Sequence, residues 1–410
     1  MSDVKKTPKL RFKGFTDDWE QRKLGDLANF YNGDRGINYP KPSDIVKNGV
    51  PFINAGDINQ GNVDYHNCKH ITKEKFNQLN GAKLRKNDIV YCLRGTIGKN
   101  GFINSTEDAT IASSLVCIRP FKIMPIFLFQ MLNSDVEERQ RKMVDEGAAQ
   151  PNISAANLKK FVIPAPSSSE QQKISNLLNL ISKAITLQQR KLDQLNELKK
   201  ALLQKMLSNG KLKPTLRFKE FSDNWKQYKL GQVAKIVGGG TPSTKNSKYW
   251  DGSINWYSPV EINDQVYTAN SQRKITEIGL KKSSARLLPV GTVLFTSRAG
   301  IGNTAILTKE ACTNQGFQSI VPDKDKLDSY FIYSMTAQLK RYGETHGAGS
   351  TFIEVSGKEM AKMPIVLPSY SEQLRISSIF SKIDITISTQ QNKIDKLNSF
   401  KKSLLQNMFI

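Results

Sequence analysis

A capped amphipathic helix pattern occurs twice in this chain, and no other sequence feature restricts the possible folds as much. The first copy starts at residues 166–171, Pro-Ser-Ser-Ser-Glu-Gln, and the second at residues 368–373, Pro-Ser-Tyr-Ser-Glu-Gln. In both copies a serine precedes the glutamate by three residues, which is the spacing of a capping box, where each side chain satisfies a backbone amide of the other residue. The pattern predicts two long helices, one running to Leu207 and the other to Phe409.

Apolar residues recur along both predicted helices in alternating steps of four and three. A repeat that averages 3.5 residues is what two helices need to supercoil around each other. Polar residues interrupt the repeat at matching places, and polar seam positions fix the register at a cost in stability. These matching positions are Gln188 with Gln390 and Lys199 with Lys401. Two unrelated helices, each packed on its own domain, are the alternative, and the shared caps and interruptions argue against it. The predicted coiled-coil seam consists of Ile174, Leu178, Ile181, Ile185, Leu192, Leu195, Ile376, Phe380, Ile383, Ile387, Ile394 and Leu397, and continues to Leu202, Met206, Leu404 and Met408.

The segments before the helices are repeated as well. Residues 8–15 (Pro-Lys-Leu-Arg-Phe-Lys-Gly-Phe) return as residues 214–221 (Pro-Thr-Leu-Arg-Phe-Lys-Glu-Phe), and each copy leads to a tryptophan and then to Lys-Leu-Gly. Internal repetition on this scale predicts two tandem halves, each a globular domain followed by a long helix. If the second helix returns to the first domain, the helices are antiparallel and an approximate twofold axis relates the halves. The predicted segments are a first domain at 1–166, a central helix at 167–210, a second domain at 211–367 and a C-terminal helix at 368–410.

Strand and helix signals are mixed within each predicted domain. Residues 88–94 and 291–298 are the clearest strands, because both are rich in β-branched and aromatic residues, and both end in an arginine before a glycine turn. Strands and helices that do not strictly alternate predict an α+β domain, used twice. Further predictions are a short helix at 24–30, strands at 50–54 and 254–258, helices at 125–144 and 327–342, and glycine loops at 147–153 and 347–353.

Net charge narrows the choice of partner. Lys and Arg number 60 against 37 Asp and Glu, which gives a net charge of +23 and a pI near 9.7. A surplus of this size favours a polyanionic partner, first of all nucleic acid, over a basic surface that serves only solubility. No apolar run reaches the roughly 18 residues that span a bilayer. Residues 1–10 lack the hydrophobic core of a secretory signal, and the four scattered cysteines fit a reducing compartment. We therefore expect a cytoplasmic protein without a membrane segment.

The chain carries no complete catalytic pattern. It has no Pro-Pro pair, which a DNA amino-methyltransferase places beside an aromatic residue, and none of its Gly-Lys pairs follows the glycine of a phosphate-binding loop. The glycine run at 238–241 lacks the strand-to-helix context of a nucleotide pocket. His66, Cys68 and His70 would share one face of a strand and form a weak zinc candidate, but no fourth ligand lies nearby in the sequence. We expect neither catalysis nor a metal site in this chain.

Together these motifs resemble the specificity subunit of type I restriction–modification systems along essentially the whole chain. The resemblance rests on the repeated Pro-x-Leu-Arg-Phe starts, the strand-Arg-Gly-x-Ile-Gly turns and the Pro-x-x-x-Glu-Gln helix starts. Residues 314–316 (Asn-Gln-Gly) and 150–154 (Gln-Pro-Asn-Ile-Ser) match the family's loops too. Residues 110–114 depart from the Asn-Gln-Gly type in the first half, and residues 349–351 depart from the Gln-containing loop in the second.

The resemblance implies a DNA reader with no catalytic activity of its own. Such a subunit holds two methyltransferase subunits, which modify adenine with S-adenosylmethionine, and recruits two motor-nuclease subunits, which use ATP and Mg. The chain itself would bind none of these cofactors. Each domain would read one half of a bipartite, asymmetric target in double-stranded DNA, and the paired helices would set the gap between the halves. The alternative from another class is a basic coiled-coil scaffold that binds DNA without sequence preference.

Two arginines are the first candidates for DNA contact. Arg94 and Arg298 stand at strand ends beside glycine turns, where they can reach guanine or phosphate. A salt bridge inside its own domain is the alternative for each of them. Amide side chains can read adenine edges with two hydrogen bonds. The remaining DNA-binding candidates are Gln150, Asn152, Asn314, Gln315, Lys245 and Ser297.

Overall fold

The fold is known from a computed structural model, which describes residues 7–145, 152–208, 210–263, 265–298, 300–349 and 353–410. The chain forms two compact units. The first unit comprises Met1–Gln188 and Lys393–Ile410, and the second comprises Gln189–Asn392. Each unit therefore contains one globular head together with parts of both long helices. We call the described residues up to 165 the first head, and those from 210 to 367 the second head.

The first head is built from short strands and short helices that do not alternate. One four-stranded antiparallel sheet has the order β2-β11-β8-β9, a second sheet has the order β10-β4-β7-β3, and β1 pairs with β12. In chain order the elements are β1 (Glu20–Lys23), α1 (Leu24–Leu27), β2 (Ala28–Asn32), β3 (Ile45–Val46), β4 (Val50–Ile53), β5 (Ile58–Asn59), β6 (Asn62–Val63), β7 (Lys69–Ile71), α2 (Lys73–Gln78), β8 (Ile89–Cys92), β9 (Asn100–Phe102), β10 (Thr110–Ile111), β11 (Leu115–Pro120), α3 (Pro125–Met131), α4 (Asp135–Asp145), α5 (Ala155–Lys159) and β12 (Val162–Ala165).

The second head repeats this plan with five strands in one sheet and three in the other. The larger sheet has the order β14-β21-β18-β19-β16, the smaller sheet has the order β17-β15-β20, and β13 pairs with β22. The elements are β13 (Lys226–Lys229), β14 (Ala234–Gly238), β15 (Trp250–Tyr257), β16 (Tyr267–Thr268), β17 (Arg273–Ile275), α7 (Glu277–Lys281), β18 (Val293–Phe295), β19 (Thr304–Leu307), β20 (Ala311–Thr313), β21 (Gln318–Pro322), α8 (Ser329–Ser334), α9 (Thr336–His346), α10 (Gly357–Met360) and β22 (Pro364–Leu367). The predicted α+β class and the tandem repeat are confirmed.

Both predicted long helices are present and continuous. The first is α6 (Ser168–Met206) and the second is α11 (Tyr370–Asn407). At about 1.5 Å per residue, each spans roughly 57–59 Å. Both begin after an edge strand of the preceding head, and both pass from one compact unit into the other.

Within each unit the start of one long helix packs beside the end of the other, so the pairing is antiparallel. The core of the first unit includes Ile174, Leu178, Ile181 and Ile185 from α6, and Leu404, Met408 and Phe409 from the C-terminal end of the chain. The core of the second unit includes Met206 and Leu207 from the end of α6, and Ile376 and Phe380 from the start of α11. Of the remaining predicted seam residues, Leu192 and Ile394 are buried, and Leu195, Ile383, Ile387 and Leu397 are half-buried.

The predicted capping box forms only in part. The amide of Glu170 donates to the hydroxyl of Ser167 at 3.4 Å, as the motif requires. The Glu170 carboxylate, however, accepts from Nε and Nη2 of Arg11 at 2.7 and 2.8 Å instead of reaching back to the cap amide. A neighbouring arginine is the stronger partner because the bond is charge-assisted and bidentate. The second half repeats the arrangement with Arg217 and Glu372, at 2.8 and 2.7 Å.

Several local predictions are corrected by the structure. The helix predicted at 24–30 ends at Leu27, because the next five residues form β2 and pair with β11. The helix predicted at 125–144 is two helices, α3 and α4, and the Ser134 hydroxyl at the break donates to the Met131 carbonyl at 2.7 Å. The helix predicted at 327–342 is likewise divided into α8 and α9. A hydroxyl that satisfies the last carbonyls of one helix lets the chain start a second helix in a new direction.

Candidate nucleic-acid interface

In the first head, Arg94 lies just past the end of β8, an inner strand of the sheet β2-β11-β8-β9. Leu93 before it is buried, while Arg94 itself is exposed. The backbones of Arg94 and Asn152 form an antiparallel bridge, and the amide of Ile153 donates to the Leu93 carbonyl at 3.0 Å. The predicted pair Arg94 and Asn152 is therefore brought together by main-chain hydrogen bonds and does not depend on side-chain contacts.

These two residues line a cavity of about 550 Å³. Two guanidinium groups, from Arg35 and Arg94, and several side-chain amides and hydroxyls line it. Its full lining is Asn32, Gly33, Arg35, Leu93, Arg94, Asn152, Ile153, Ser154, Ala155 and Asn157. Guanidinium and amide groups are the donors and acceptors that recognise phosphates and base edges. Arg35 was not among the predicted residues, although it lies in the turn-rich sequence Asn-Gly-Asp-Arg-Gly at 32–36, whose composition marks an exposed loop.

The glycine turn after Arg94 packs against the side chains of Glu137 and Arg141. Gly98 has a φ of +86°, and a Cβ at this position would lie 2.7 Å from Nε of Arg141. That nitrogen donates to Oε1 of Glu137 at 2.9 Å, and the Tyr91 hydroxyl donates to the same carboxylate. Burial raises the pKa of Glu137 above its ordinary value, and burial also raises the pKa of Tyr91. Only glycine fits both the backbone angle and the close approach, so the turn that presents Arg94 is fixed in place.

The second head places Arg298 at the same point of its larger sheet. Arg298 is about one-third exposed, and its Nη1 lies 3.8 Å from Oε2 of Glu354. This contact is the salt bridge inside the head that the sequence analysis left open as an alternative. Its distance is long and both side chains are partly exposed, and pairs of this kind contribute little to stability. Ser297 is fully buried; its amide donates to the Gly316 carbonyl at 2.8 Å, and its hydroxyl has no partner among the described residues. Ser297 is thus inside the head and not on the accessible surface of this structure.

The other predicted residues of the second head lie on its loops. Oδ1 of Asn314 accepts from the Gly316 amide at 2.8 Å, so this side chain stabilises its own turn. Gln315 is exposed, and its Oε1 accepts from the hydroxyl of Thr241, at the end of the glycine run. Lys245 is exposed on the loop before β15. Gln150 lies outside the described residues.

The zinc candidate does not have the predicted strand geometry. Only Lys69–Ile71 is a strand, and His66 belongs to a turn in which its amide donates to Oδ1 of Asp64 at 3.0 Å. The Cys68 thiol is buried and donates to the Tyr65 carbonyl at 3.3 Å, and burial raises its pKa to about 11. Within the described ranges, no three His, Cys, Asp or Glu side chains are grouped as metal ligands would be. In the same residues, no helix is both long and apolar enough to cross a membrane.

Comparison with known proteins gives consistent matches over both halves. A family model for the type I restriction modification DNA specificity domain matches residues 16–197 and 222–399. The chain is 36% identical over 191 residues to the type I restriction enzyme MjaIX specificity subunit of Methanocaldococcus jannaschii, a match that covers 46% of this chain and 44% of that protein. It is 23% identical over 408 residues to a putative MjaX specificity subunit of the same organism, covering 95% of this chain and 92% of that protein. The crystal structure of a type-I restriction-modification S subunit from M. genitalium has the same fold, with a TM-score of 0.65 and 15% identity over 98% of this chain and 99% of that one.

Proposed function

This chain belongs to the type I restriction–modification DNA specificity family, and from that premise we propose that each of its heads reads one half of a bipartite target in double-stranded DNA. The chain is a specificity subunit of a type I system. The observation that supports a separate half-site for each head is that one head architecture is repeated with different side chains at matching positions. Arg94 stands beside Asn152, whereas Arg298 stands beside Glu354. Two heads of the same architecture, with different side chains at matching positions, suit two different half-sites.

In the first head the reading surface is the cavity around Arg94. Arg35 and Arg94 supply guanidinium donors there, and Asn152 supplies an amide. In the second head the corresponding groups are Arg298, which follows β18, Gln315, which follows β20, and Lys245, which is exposed on the loop before β15. Phosphate contacts from the basic surface position the protein, and the amides and arginines specify bases.

The chain works with partner subunits that carry out the chemistry. We propose two methyltransferase subunits, which bind S-adenosylmethionine, and two motor-nuclease subunits, which bind ATP and Mg, with none of these cofactors held by this chain. The assembly acts on DNA in the cytoplasm. The paired helices α6 and α11 set the unread gap between the two half-sites.

A basic coiled-coil scaffold without sequence preference is the competing function. Such a protein would bind all DNA sequences equally, with an affinity that falls steeply with salt. The match of a specificity-family model to both halves favours sequence-specific recognition over this alternative.

The test is a map of methylated adenines in cells that carry this chain with a methyltransferase partner. We expect one bipartite motif. Replacing residues 214–366 with the matching segment of another specificity subunit should change one half of that motif and keep the other half and the gap. The reciprocal replacement of residues 8–164 should change only the other half. Methylation that lacks any motif, or two halves that change together, would contradict the proposal.

A further inference from the structure

A second basic cavity lies in the first head. It has a volume of about 370 Å³. Tyr31, Leu79, Asn80, Gly81, Lys83, Arg85 and Arg119 line it. It shares no lining residue with the cavity around Arg94.

Two carboxylates, the buried Asp88 and the half-buried Asp34, hold the lining of this second cavity in place. Asp88 is 1% exposed and accepts from Nε and Nη2 of Arg119 at 2.8 and 2.7 Å. The Arg119 guanidinium also lies 4.6 Å from the ring centroid of Tyr31. Asp34 accepts from the amides of Asn80 and Gly81 at 3.2 and 2.6 Å. The cavity is therefore a built feature of the fold and not a chance gathering of flexible side chains.

The charge of this cavity is positive after its internal pair is counted. Asp88 balances Arg119, but Lys83 and Arg85 are both exposed. Neither forms an ion pair with a carboxylate among the described residues, and the Lys83 ammonium lies 5.1 Å from the ring centroid of Phe76. Lys83 and Arg85 are thus two unbalanced cations. Together with Nη1 of Arg119 and the side-chain amide of the exposed Asn80, they make a site for an anion with several acceptor oxygens.

The second head has the same backbone at this place but none of the charge. Strand register aligns Pro120 with Pro322 and Ala28 with Ala234, so Val321 occupies the position of Arg119. Turns that precede β8 and β18 have matching hydrogen bonds, Asp88 amide to Arg85 carbonyl and Thr292 amide to Pro289 carbonyl. These matches place Leu287 and Pro289 at the positions of Lys83 and Arg85. A cluster that is complete in one head and wholly apolar in the other is not required by the fold.

From this geometry we infer that the first head binds a phosphate of the DNA backbone in the cavity between Lys83, Arg85 and Arg119. The inference rests on the proposed function, because it takes DNA as the ligand. It also makes the two heads unequal: the first carries an extra backbone anchor that the second lacks.

The test compares the full chain with the Lys83→Gln/Arg85→Gln double variant, because both side chains are exposed and their loss leaves the Asp88–Arg119 pair intact. Duplex DNA with the methylated motif and an unrelated duplex are the two probes. Each lost phosphate contact flattens the slope of log affinity against log salt by about 0.9. We expect the double variant to lose affinity for both duplexes by a similar factor, to flatten the slope by about 0.9, the contribution of one phosphate, and to keep the motif.

Lys142→Gln is the matched control, since Lys142 is an exposed lysine of the same head that pairs with Glu138 at 2.6 Å. It should leave the affinity and the salt slope unchanged. A double variant that behaves like this control, or one that changes the motif, would overturn the phosphate assignment.

Failure of the proposed function looks different, because the unmodified chain would then bind both duplexes equally well. Inorganic phosphate, added at equal ionic strength, should not displace either duplex if the site needs the DNA backbone. Displacement of the duplexes by inorganic phosphate would instead assign the cavity to a small anion and overturn the inference.

Discussion

At the scale of single residues, Arg11 and Arg217 explain why two distant sequence motifs are repeated together. Each arginine comes from the Leu-Arg-Phe start of a half and forms a bidentate pair with the first glutamate of the following long helix. Both glutamates are 1% exposed, so each charge depends on its partner. The next residue of each helix, a glutamine, is used in the same way: Oε1 of Gln171 accepts from the Met124 amide at 3.0 Å, and Oε1 of Gln373 accepts from the Asp328 amide at 2.9 Å.

Breaking one of these pairs should destabilise its own unit. Arg11→Met leaves the Glu170 carboxylate buried and unpaired, which costs about 3–5 kcal/mol when a buried pair loses one partner. Arg22→Met removes an exposed pair with Glu20 and should change the free energy of unfolding by less than about 1 kcal/mol. The measurement is denaturant unfolding of the full chain. Adding Glu170→Gln to Arg11→Met should recover part of the loss, and equal costs for the Arg11 and Arg22 variants would disprove the structural role.

The residues that sequence reasoning missed show where its limit lies. Arg94 was found because it follows a strand and precedes a glycine turn, and both signals are local. Arg35, Arg85 and Arg119 converge on the two cavities only through strand pairing and turn geometry, which no local pattern encodes. Ser297 was among the predicted DNA-binding residues, yet its side chain and that of Thr296 before it are fully buried inside the head.

At the scale of elements, the two long helices were the most predictable part, because a 3.5-residue repeat over roughly ten turns has one structural solution. The polar interruptions of that repeat turn out to differ between the halves. Lys199 forms an ion pair of 2.6 Å with Asp384, which also accepts from the Tyr330 hydroxyl. The matching Lys401 is half-buried, and the helix position that corresponds to Asp384 is Ser182. Burial lowers the pKa of Lys401.

Replacing these two lysines should have opposite effects. A lysine whose pKa is lowered by folding destabilises the fold while it is charged, and this cost is removed as the pH rises from the folded pKa to the unfolded pKa. At pH 7 the charged Lys401 is therefore a cost. Lys401→Met should therefore raise the free energy of unfolding at pH 7, by about 1 kcal/mol from apolar burial, and this gain should shrink as the pH rises toward 10. Lys199→Met strands the Asp384 carboxylate, which is 11% exposed, and should lower stability by about 1–3 kcal/mol. Denaturant titrations at pH 7 and pH 10 measure both changes, and a shift of the same sign in the two variants would refute this account.

At the scale of the whole molecule, each compact unit is assembled from both halves of the sequence. The boundaries fall between Gln188 and Gln189 in α6 and between Asn392 and Lys393 in α11. Of the described elements, only these helices have residues in both units, which is why we propose that their length sets the gap in the DNA target.

Lengthening both helices at these boundaries should lengthen the gap. Four residues inserted into each helix add about 6 Å and rotate the distal part of that helix by only about 40°, so the seam largely survives. Base pairs rise by about 3.4 Å, and we expect unchanged half-sites separated by one or two further positions in the methylation map. Two-residue insertions rotate the seam by about 200° and should abolish methylation. An active four-residue variant with the original gap would show that the helices do not set it.

The C-terminal end of the chain has a further consequence, which concerns synthesis on the ribosome. Phe409 packs against Trp19 and Phe127, with ring centroids 6.3 and 5.5 Å apart, and so completes the core of the head that is made first. The second unit is one continuous stretch of sequence, whereas the first must wait for residues 393–410. The N-terminal head therefore leaves the ribosome before the segment that completes its core, and a chain that lacks residues 393–410 would lose part of the first unit while the second unit keeps all of its residues.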